Sequence, residues 1–415
     1  MDTLRDTRAR GVGQILHTFD TPNFWRIWTG SMIWYTARWM DLFVLQWTVL
    51  VMTDSAFQVT LVGFYRMAPM FLFGIFTGLL ADRIDRRPIL LLAQLGSAVA
   101  SAILGFLALT DRLALWHLAI LVTIVGIAWT LDLPSRRSII FDMVGSPRVV
   151  NAMALDHVGM DGAKMLGPIL GGLLWPVIGA GGCMFILSGA YLVTFWLYRG
   201  LPPAPPTHRS DSTSVTRNLA QGLAYVWRHP VILGVLVITA AMNLLGFPYQ
   251  QLVSVVAKQA LDLGPRLTGL LFAADGLGAF SASLVLATYS DIRPKGRVFA
   301  LGSLTLMAAV LCFSFSRWYP LSWLLLLCAG AGTACFATLQ SSTILLSASP
   351  DMRGRAMGTL ILAIGFGPLG ALGIGLLASL LGAPLAISIT AGSGLLLLAL
   401  LIRKARGLWE FRGGA

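Results

Sequence analysis

Six charged side chains stand inside stretches that are otherwise apolar: Arg38, Asp41, Arg66, Asp161, Lys164 and Asp275. Inserting such a charge at the centre of a membrane helix costs about 2.5–3.5 kcal/mol, so it normally faces a cavity, pairs with an opposite charge, or marks the path of an ion or solute. Here three acids balance three bases. Arg38 and Asp41 are spaced i and i+3, as are Asp161 and Lys164, which puts each couple on one helical face and predicts two local ion pairs. Asp275 has no base within four residues on its own segment, which makes it the candidate for exchanging a proton. Two roles follow for the set: a site that couples an ion gradient to movement, or a fixed brace of ion pairs. Trp34, Tyr35 and Trp39 offer rings for stacking, and Asn243, Gln250 and Gln340 offer hydrogen bonds. A cavity bordered by arginines, carboxylates and amides suits a polar, zwitterionic or anionic solute better than a lipophilic cation.

Other chemistries find no support. The four cysteines, Cys183, Cys312, Cys328 and Cys335, lack metal-ligand spacing and read as small core residues, and the five histidines are scattered. There is no nucleophile motif and no GxxxxGK[ST] loop, so neither an enzyme nor an ATP-driven machine is indicated, and no cofactor is expected. The net charge of +12 is spread in small groups at the ends of apolar segments and forms no nucleic-acid-binding face.

The elements that must hold these residues are apolar helices. Of 415 residues 56% are hydrophobic and 12% charged, and the mean hydropathy is +0.77. Apolar stretches of about 17–25 residues, the length a bilayer requires, recur throughout, and lipid admits only backbone that bonds to itself. Reading spans between charged breaks gives 23–52, 57–81, 89–109, 115–133, 151–175 and 180–199, then 229–257, 266–289, 298–316, 320–341, 356–380 and 383–403. This predicts an all-α membrane protein of 12 helices in two pseudo-symmetric six-helix bundles. The bundles are 1–199 and 229–415, joined by a Pro-rich, polar linker at 200–228. Gly167-Pro168 with Gly171-Gly172 in the fifth span is echoed by Gly367-Pro368 in the eleventh, the mark of an internal repeat. Basic residues such as Arg83, Arg86, Arg136, Arg148, Arg199 and Arg353 cluster in alternate loops, whereas the opposite loops carry only Arg112, Lys258, Arg266 and Arg317. By the positive-inside rule both termini are cytoplasmic, in a bacterial inner membrane. Residues 1–20 hold no apolar run of signal-peptide type, so the first span is expected to begin insertion.

The stretch from Gly78 to Pro88, with Asp82-Arg83 followed by Arg86-Arg87, resembles the signature loop of the major facilitator superfamily. That resemblance implies a cytoplasmic latch. Asp82 would dock at the start of the eleventh helix, near Arg355 and Ala356, where free N–H groups and the helix dipole favour an anion. The loop arginines would pair with a fourth-helix acid, matched here by Asp132. A weaker counterpart, Ser290-Asp291-Ile292-Arg293-Pro294, lies between spans eight and nine. With Asp54-Ser55-Ala56, Pro134-Ser135-Arg136-Arg137, Asn151-Ala152 and Arg353-Gly354-Arg355, the whole chain resembles the branch that holds the enterobactin exporter and macrolide efflux proteins. The run at Gly167, Pro168, Gly171 and Gly172 is similar to the superfamily's antiporter motif, whose small residues shape a helix interface. No arginine lies mid-way along the predicted fourth span, where some proton antiporters carry one.

These readings lead to an alternating-access transporter, expected to be monomeric and proton-coupled, that exports a small polar natural product, siderophore or drug. The alternatives are an importer of a nutrient or lipid-like solute on the same fold, and a non-transporting membrane receptor.

Overall fold

A computed structural model describes residues 17–204, 215–288, 294–349, 352–404, 406–409 and 411; within these, the side chains of 75–83, 146–147, 150, 215–220, 287 and 406 are not described. Ten helices among the described residues are long and apolar enough to cross a membrane. One of them, 151–199, reverses direction at Gly179, whose φ of 68° is open to glycine and strained for other residues. Counting its two arms separately and adding Phe24–Thr53, which has the length of a span but carries three charges, gives twelve helices. In chain order they are α1 (Phe24–Thr53), α2 (Ala56–Arg83), α3 (Arg86–Leu109), α4 (Leu115–Gly145), α5 (151–178) and α6 (180–199). Then follow α7 (Pro230–Gln259), α8 (Pro265–Thr288), α9 (Lys295–Phe315), α10 (Tyr319–Ser347), α11 (Arg353–Leu381) and α12 (Ala383–Lys404).

Local sequence explains most of the ends. Pro230, Pro265 and Pro320 sit in first turns, where a missing N–H costs nothing. Asp85 caps α3 by accepting from the Arg87 N–H at 3.0 Å. Two differences from the expected spans are larger than fraying. α4 continues to Gly145 rather than stopping at 133, because Asp132 and Arg136 neutralise each other inside it and so do not end the apolar segment. α7 is interrupted in mid-span by a π turn, Met242–Gly246, and a 3-10 turn, Phe247–Gln251, which hydropathy does not register.

The segment after α6 also contains structure. Val215–Trp227 is a helix that packs on the start of α11, so closely that a Cβ on Gly222 would lie 2.9 Å from the Arg355 carbonyl oxygen. Its Tyr225 hydroxyl accepts from the Ser349 N–H at 3.0 Å, tying it to the α10–α11 connection.

Helices from opposite halves approach through glycine. A Cβ on Gly172 of α5 would meet the Pro265 carbonyl oxygen at 2.6 Å and the Gly269 Cα of α8 at 3.1 Å. On α11, Gly367 meets Met67 of α2 in the other half, while Gly370 abuts the Asn243 carbonyl oxygen of α7 in its own half. Small residues at such crossings let backbones pack at short range. Cys183 is buried as expected, but Cys312 is exposed on the outer surface of α9.

Because backbone atoms, not flexible side chains, fill the space around Gly172, Gly172→Ala is expected to force α5 from α8 and cost about 1–3 kcal/mol, as overpacking does. Gly373→Ala, where a new methyl meets nothing within 4 Å, is the control. Thermal unfolding in detergent should rank them clearly, and equal midpoints would contradict the packing described.

Candidate functional site

The first group of buried charges lies within the first six helices. Asp41 of α1 and Arg66 of α2 are 2% and 4% exposed and form an ion pair, and Arg66 also donates to the Arg38 carbonyl at 3.4 Å. The expected Arg38–Asp41 pair does not form. A guanidinium arriving from α2 meets the Asp41 carboxylate across the helix contact, whereas Arg38 would have to fold back along its own helix. Arg38 lies instead over the Trp129 ring at 3.6 Å, with Trp34 and Trp39 at 5.9 and 5.7 Å, held by cation–π attraction.

Nearer the α2–α3 loop, Arg136 is wholly buried. Its Nε is 2.9 Å from Asp132, its Nη1 is 3.4 Å from Asp156 of α5, and its guanidinium rests over Trp34 and Tyr35 at 4.8 and 4.4 Å. Tyr35 donates to Asp156 at 3.0 Å, and Gln94 to Asp132 at 2.9 Å. Asp132, expected to receive the loop arginines, is therefore taken by its neighbour one turn on. Arg86 instead pairs with Asp142, further along the extended α4, and Arg87 donates to the Arg199 carbonyl. The side chains of Gly78, Asp82 and Arg83 lie outside the described residues, as does 289–293 with Asp291 and Arg293. The longer α4 takes in Arg136 and Arg137 in its last third and still carries no arginine mid-way along it.

The two halves meet at a third group. Lys164 of α5 and Asp275 of α8 form an ion pair of 2.9 Å, with side chains 9% and 8% exposed. Gly276 makes this possible, since a Cβ there would lie 2.6 Å from the Met165 nitrogen. Gln250, in the 3-10 turn of α7, donates to Asp275 at 3.2 Å, and the Lys164 ammonium is 5.6 Å from the Trp39 ring. The predicted Asp161–Lys164 pair is absent, and Asp161 has no ion-pair partner among the described residues; nor is Asp275 without a base, because its base comes from the other half. A gap of about 10 Å³, room for one water, remains between Trp39, Lys164, Tyr249, Gln250, Phe272 and Asp275. The Trp39 Nε1 is buried there without a hydrogen-bond partner among the described residues, while the Tyr249 hydroxyl lies within hydrogen-bond reach of Gln250 and Asp275. An unpaired buried donor beside a gap of this size is a place for a water. Asn243 and Gln340 serve a neighbouring contact: Asn243 donates to the Thr239 carbonyl at 2.9 Å and Gln340 to the Thr239 hydroxyl at 2.7 Å.

Toward the ends of α1 and α7 the halves are joined again. Gln46 donates to Gln251 at 2.6 Å and accepts from Ser254 at 3.2 Å. Lys258 then reaches Asp54, in the α1–α2 connection, at 3.0 Å. Its hydrogen bond and charge hold the Asp54 carboxyl below the usual carboxylate range. Gly167 and Gly171 seat α5 against Met40 and Phe43 of α1, and Gly172 and the Pro168 carbonyl face Gly269 of α8, so the antiporter-like run lies between α1 and the opposite half.

A family described as transmembrane secretion effector matches residues 15–411. The chain belongs to this family of major facilitator transporters. Among relatives, the multidrug efflux pump Tap of Mycolicibacterium fortuitum is 24% identical over 352 residues, 81% of this chain and 84% of that one. The enterobactin exporter EntS of Shigella flexneri is 24% identical over 358 residues, covering 85% and 84%. The fold of this chain superposes on the nucleoside transporter NupG with a TM-score of 0.75 at 13% identity, over 92% of this chain and 99% of the other.

In this family member Arg136, expected in a cytoplasmic loop, is buried within α4, and Asp156 and Asp142 were not among the expected site residues. The i, i+4 spacing of Asp132 and Arg136 was a usable signal, as was the depth of Asp156 in the fifth span; the bonds of Gln46 with Gln251 and Ser254 left none.

Removing one partner of a buried pair strands the other charge, so Arg136→Gln should destabilise the protein by about 3–5 kcal/mol, with partial recovery in the double variant Arg136→Gln, Asp132→Asn. Melting in detergent reads both, and a double variant no better than the single would argue against the pairing. At the other end, Asp54 stays ionised until the pH falls below about 3.9, its ordinary value, so the Asp54–Lys258 contact persists at neutral pH. Cysteines at both positions, in a background lacking the four native ones, should cross-link on oxidation and stop transport reversibly; unimpeded transport by the cross-linked protein would show that these ends need not part.

Proposed function

We propose that this chain is a secondary active exporter that works by alternating access, exchanging protons for a small polar solute such as a siderophore, another natural product or a drug. The two halves, 1–199 and 229–415 with 200–228 between them, are the rocking bodies, in a monomer of the bacterial inner membrane with both termini cytoplasmic.

The observation that carries this reading is the Lys164–Asp275 pair, a buried ionic bond from one half to the other. A proton on Asp275 removes the charge that holds Lys164, and an anionic or polar group of a solute that engages Lys164 displaces Asp275. Proton and solute therefore compete for one pair, and competition between two ligands is the thermodynamic content of exchange. The unpaired Trp39 Nε1, the Tyr249 hydroxyl and the aromatic ring of Phe272 support a solute with both ring and polar character. Export is favoured by the relatives, which are named as a multidrug efflux pump and an enterobactin exporter.

Proteoliposomes with an imposed pH gradient, offered siderophores and drugs side by side, test the proposal. Wild-type protein should accumulate at least one solute in response to the gradient. Asp275→Asn should lose gradient-driven accumulation by roughly a hundredfold, a loss of about 2.7 kcal/mol of coupling, while retaining solute binding. A solute that moves equally with and without the gradient, or full coupling in Asp275→Asn, would refute it.

A further inference from the structure

One concavity on the described surface lies away from the contact between the halves. It is a groove of about 480 Å³ between α3 and α6, open toward the surrounding lipid. Its walls are apolar: Leu92 and Leu95 of α3 are 67% and 42% exposed, and Phe195 of α6 faces them. Its mouth is cationic, formed by Arg87 at the start of α3 and Arg199 at the end of α6. From these features we infer that the groove is a binding site for one anionic phospholipid, with its phosphate on Arg87 and Arg199 and the first part of an acyl chain along Leu92, Leu95 and Phe195.

Charge, depth and shape agree on this occupant. Asp85 also borders the mouth; its Oδ1 accepts from both the Arg87 and Ala204 N–H groups, and its single charge stands against two guanidiniums. Arg199 is exposed, has no ion-pair partner among the described residues, and stacks 5.0 Å from Trp196. The Arg87 Nε is buried without a partner, although its Nη2 donates to the Arg199 carbonyl. Two guanidiniums thus converge where the α3 and α6 helices end, the level of lipid headgroups, with the exposed Trp196 ring beside them as interfacial tryptophans sit. Guanidinium is the side chain suited to phosphate, which it binds through paired N–H donors. A soluble anion would leave the apolar walls bare, and a partner helix would have no use for two cations at one end. One turn of α3 from Leu91 to Leu95 spans about 6 Å, so the groove orders the headgroup-proximal part of a chain and leaves the rest in the bilayer. The site lies wholly within the first six helices and is independent of what the protein transports.

Trp196 provides the readout. In nanodiscs of phosphatidylcholine containing a low fraction of phospholipid brominated on its acyl chains, the fluorescence lost between the wild type and Trp196→Phe isolates this indole. Brominated phosphatidylglycerol should quench it at a fraction roughly tenfold lower than brominated phosphatidylcholine, the preference expected of two interfacial arginines. Arg87→Gln with Arg199→Gln should erase that preference. Arg199→Gln alone, at an exposed side chain, should reduce it several-fold and guards against a folding defect at Arg87. Equal quenching by the two lipids, or a preference unchanged in both variants, would overturn the site. Displacement of the brominated lipid by millimolar inorganic phosphate would assign the arginines to a free anion and overturn it equally.

Discussion

Charge buried in a medium that cannot solvate it is the condition to which the rest of this molecule answers. Asp41, Asp132, Asp156 and Asp275 each sit 6% exposed or less, and each finds a cation or a hydrogen-bond donor on another helix or one turn away. These partners fix which helices must touch. Arg66 binds α2 to α1, Arg136 binds α4 to α5 through Asp156, and Lys164 binds the first half to the second. Apolar packing supplies area but little direction among helices that all face lipid equally well; the ionic contacts select one arrangement. The three nodes differ in consequence. The first two lie among α1 to α5, whereas the third joins α5 to α8.

Backbone proximity is what brings that third node within reach. Lys164 and Asp275 meet because Gly276 lets α8 lie on the backbone of α5, and the Gly172–Gly269 crossing continues the contact toward the other face. On the far side, α11 meets α2 and α7 through Gly367 and Gly370. The glycine-proline runs seen as a repeat in the sequence therefore occupy related places: each belongs to a helix that packs both within its own half and against the opposite one.

The all-helical fold and its spans were legible because bilayer thickness imposes one length on every crossing. The partners of the buried charges were not, and the reason is geometric. Sequence spacing reports what lies along one helix, as with Arg38 and Asp41, but the pairs that form join α2 to α1 and α8 to α5. Using charges as segment ends also cut α4 short, since a buried Asp132–Arg136 couple looks in sequence like the edge of the membrane. The break in α7 follows the same logic: Asn243, Gln250 and Gln251 stood out as polar, yet the π and 3-10 turns that aim them depend on α11 and α1 packed beside them. Among the aromatic candidates, Trp34 and Tyr35 turned out to shelter Arg136, while Trp39 reaches the contact between halves.

The Asp41–Arg66 pair bears on how the protein is made. Phe24–Thr53 falls short of the apolarity that marks a free-standing span, and the cation that offsets its buried acid belongs to the next helix. During synthesis α1 reaches the membrane before Arg66 does. Its residence in lipid is therefore secured only when α2 follows, and the first hairpin enters the bilayer as one unit, with the two-residue connection at Asp54 and Ser55 as its hinge.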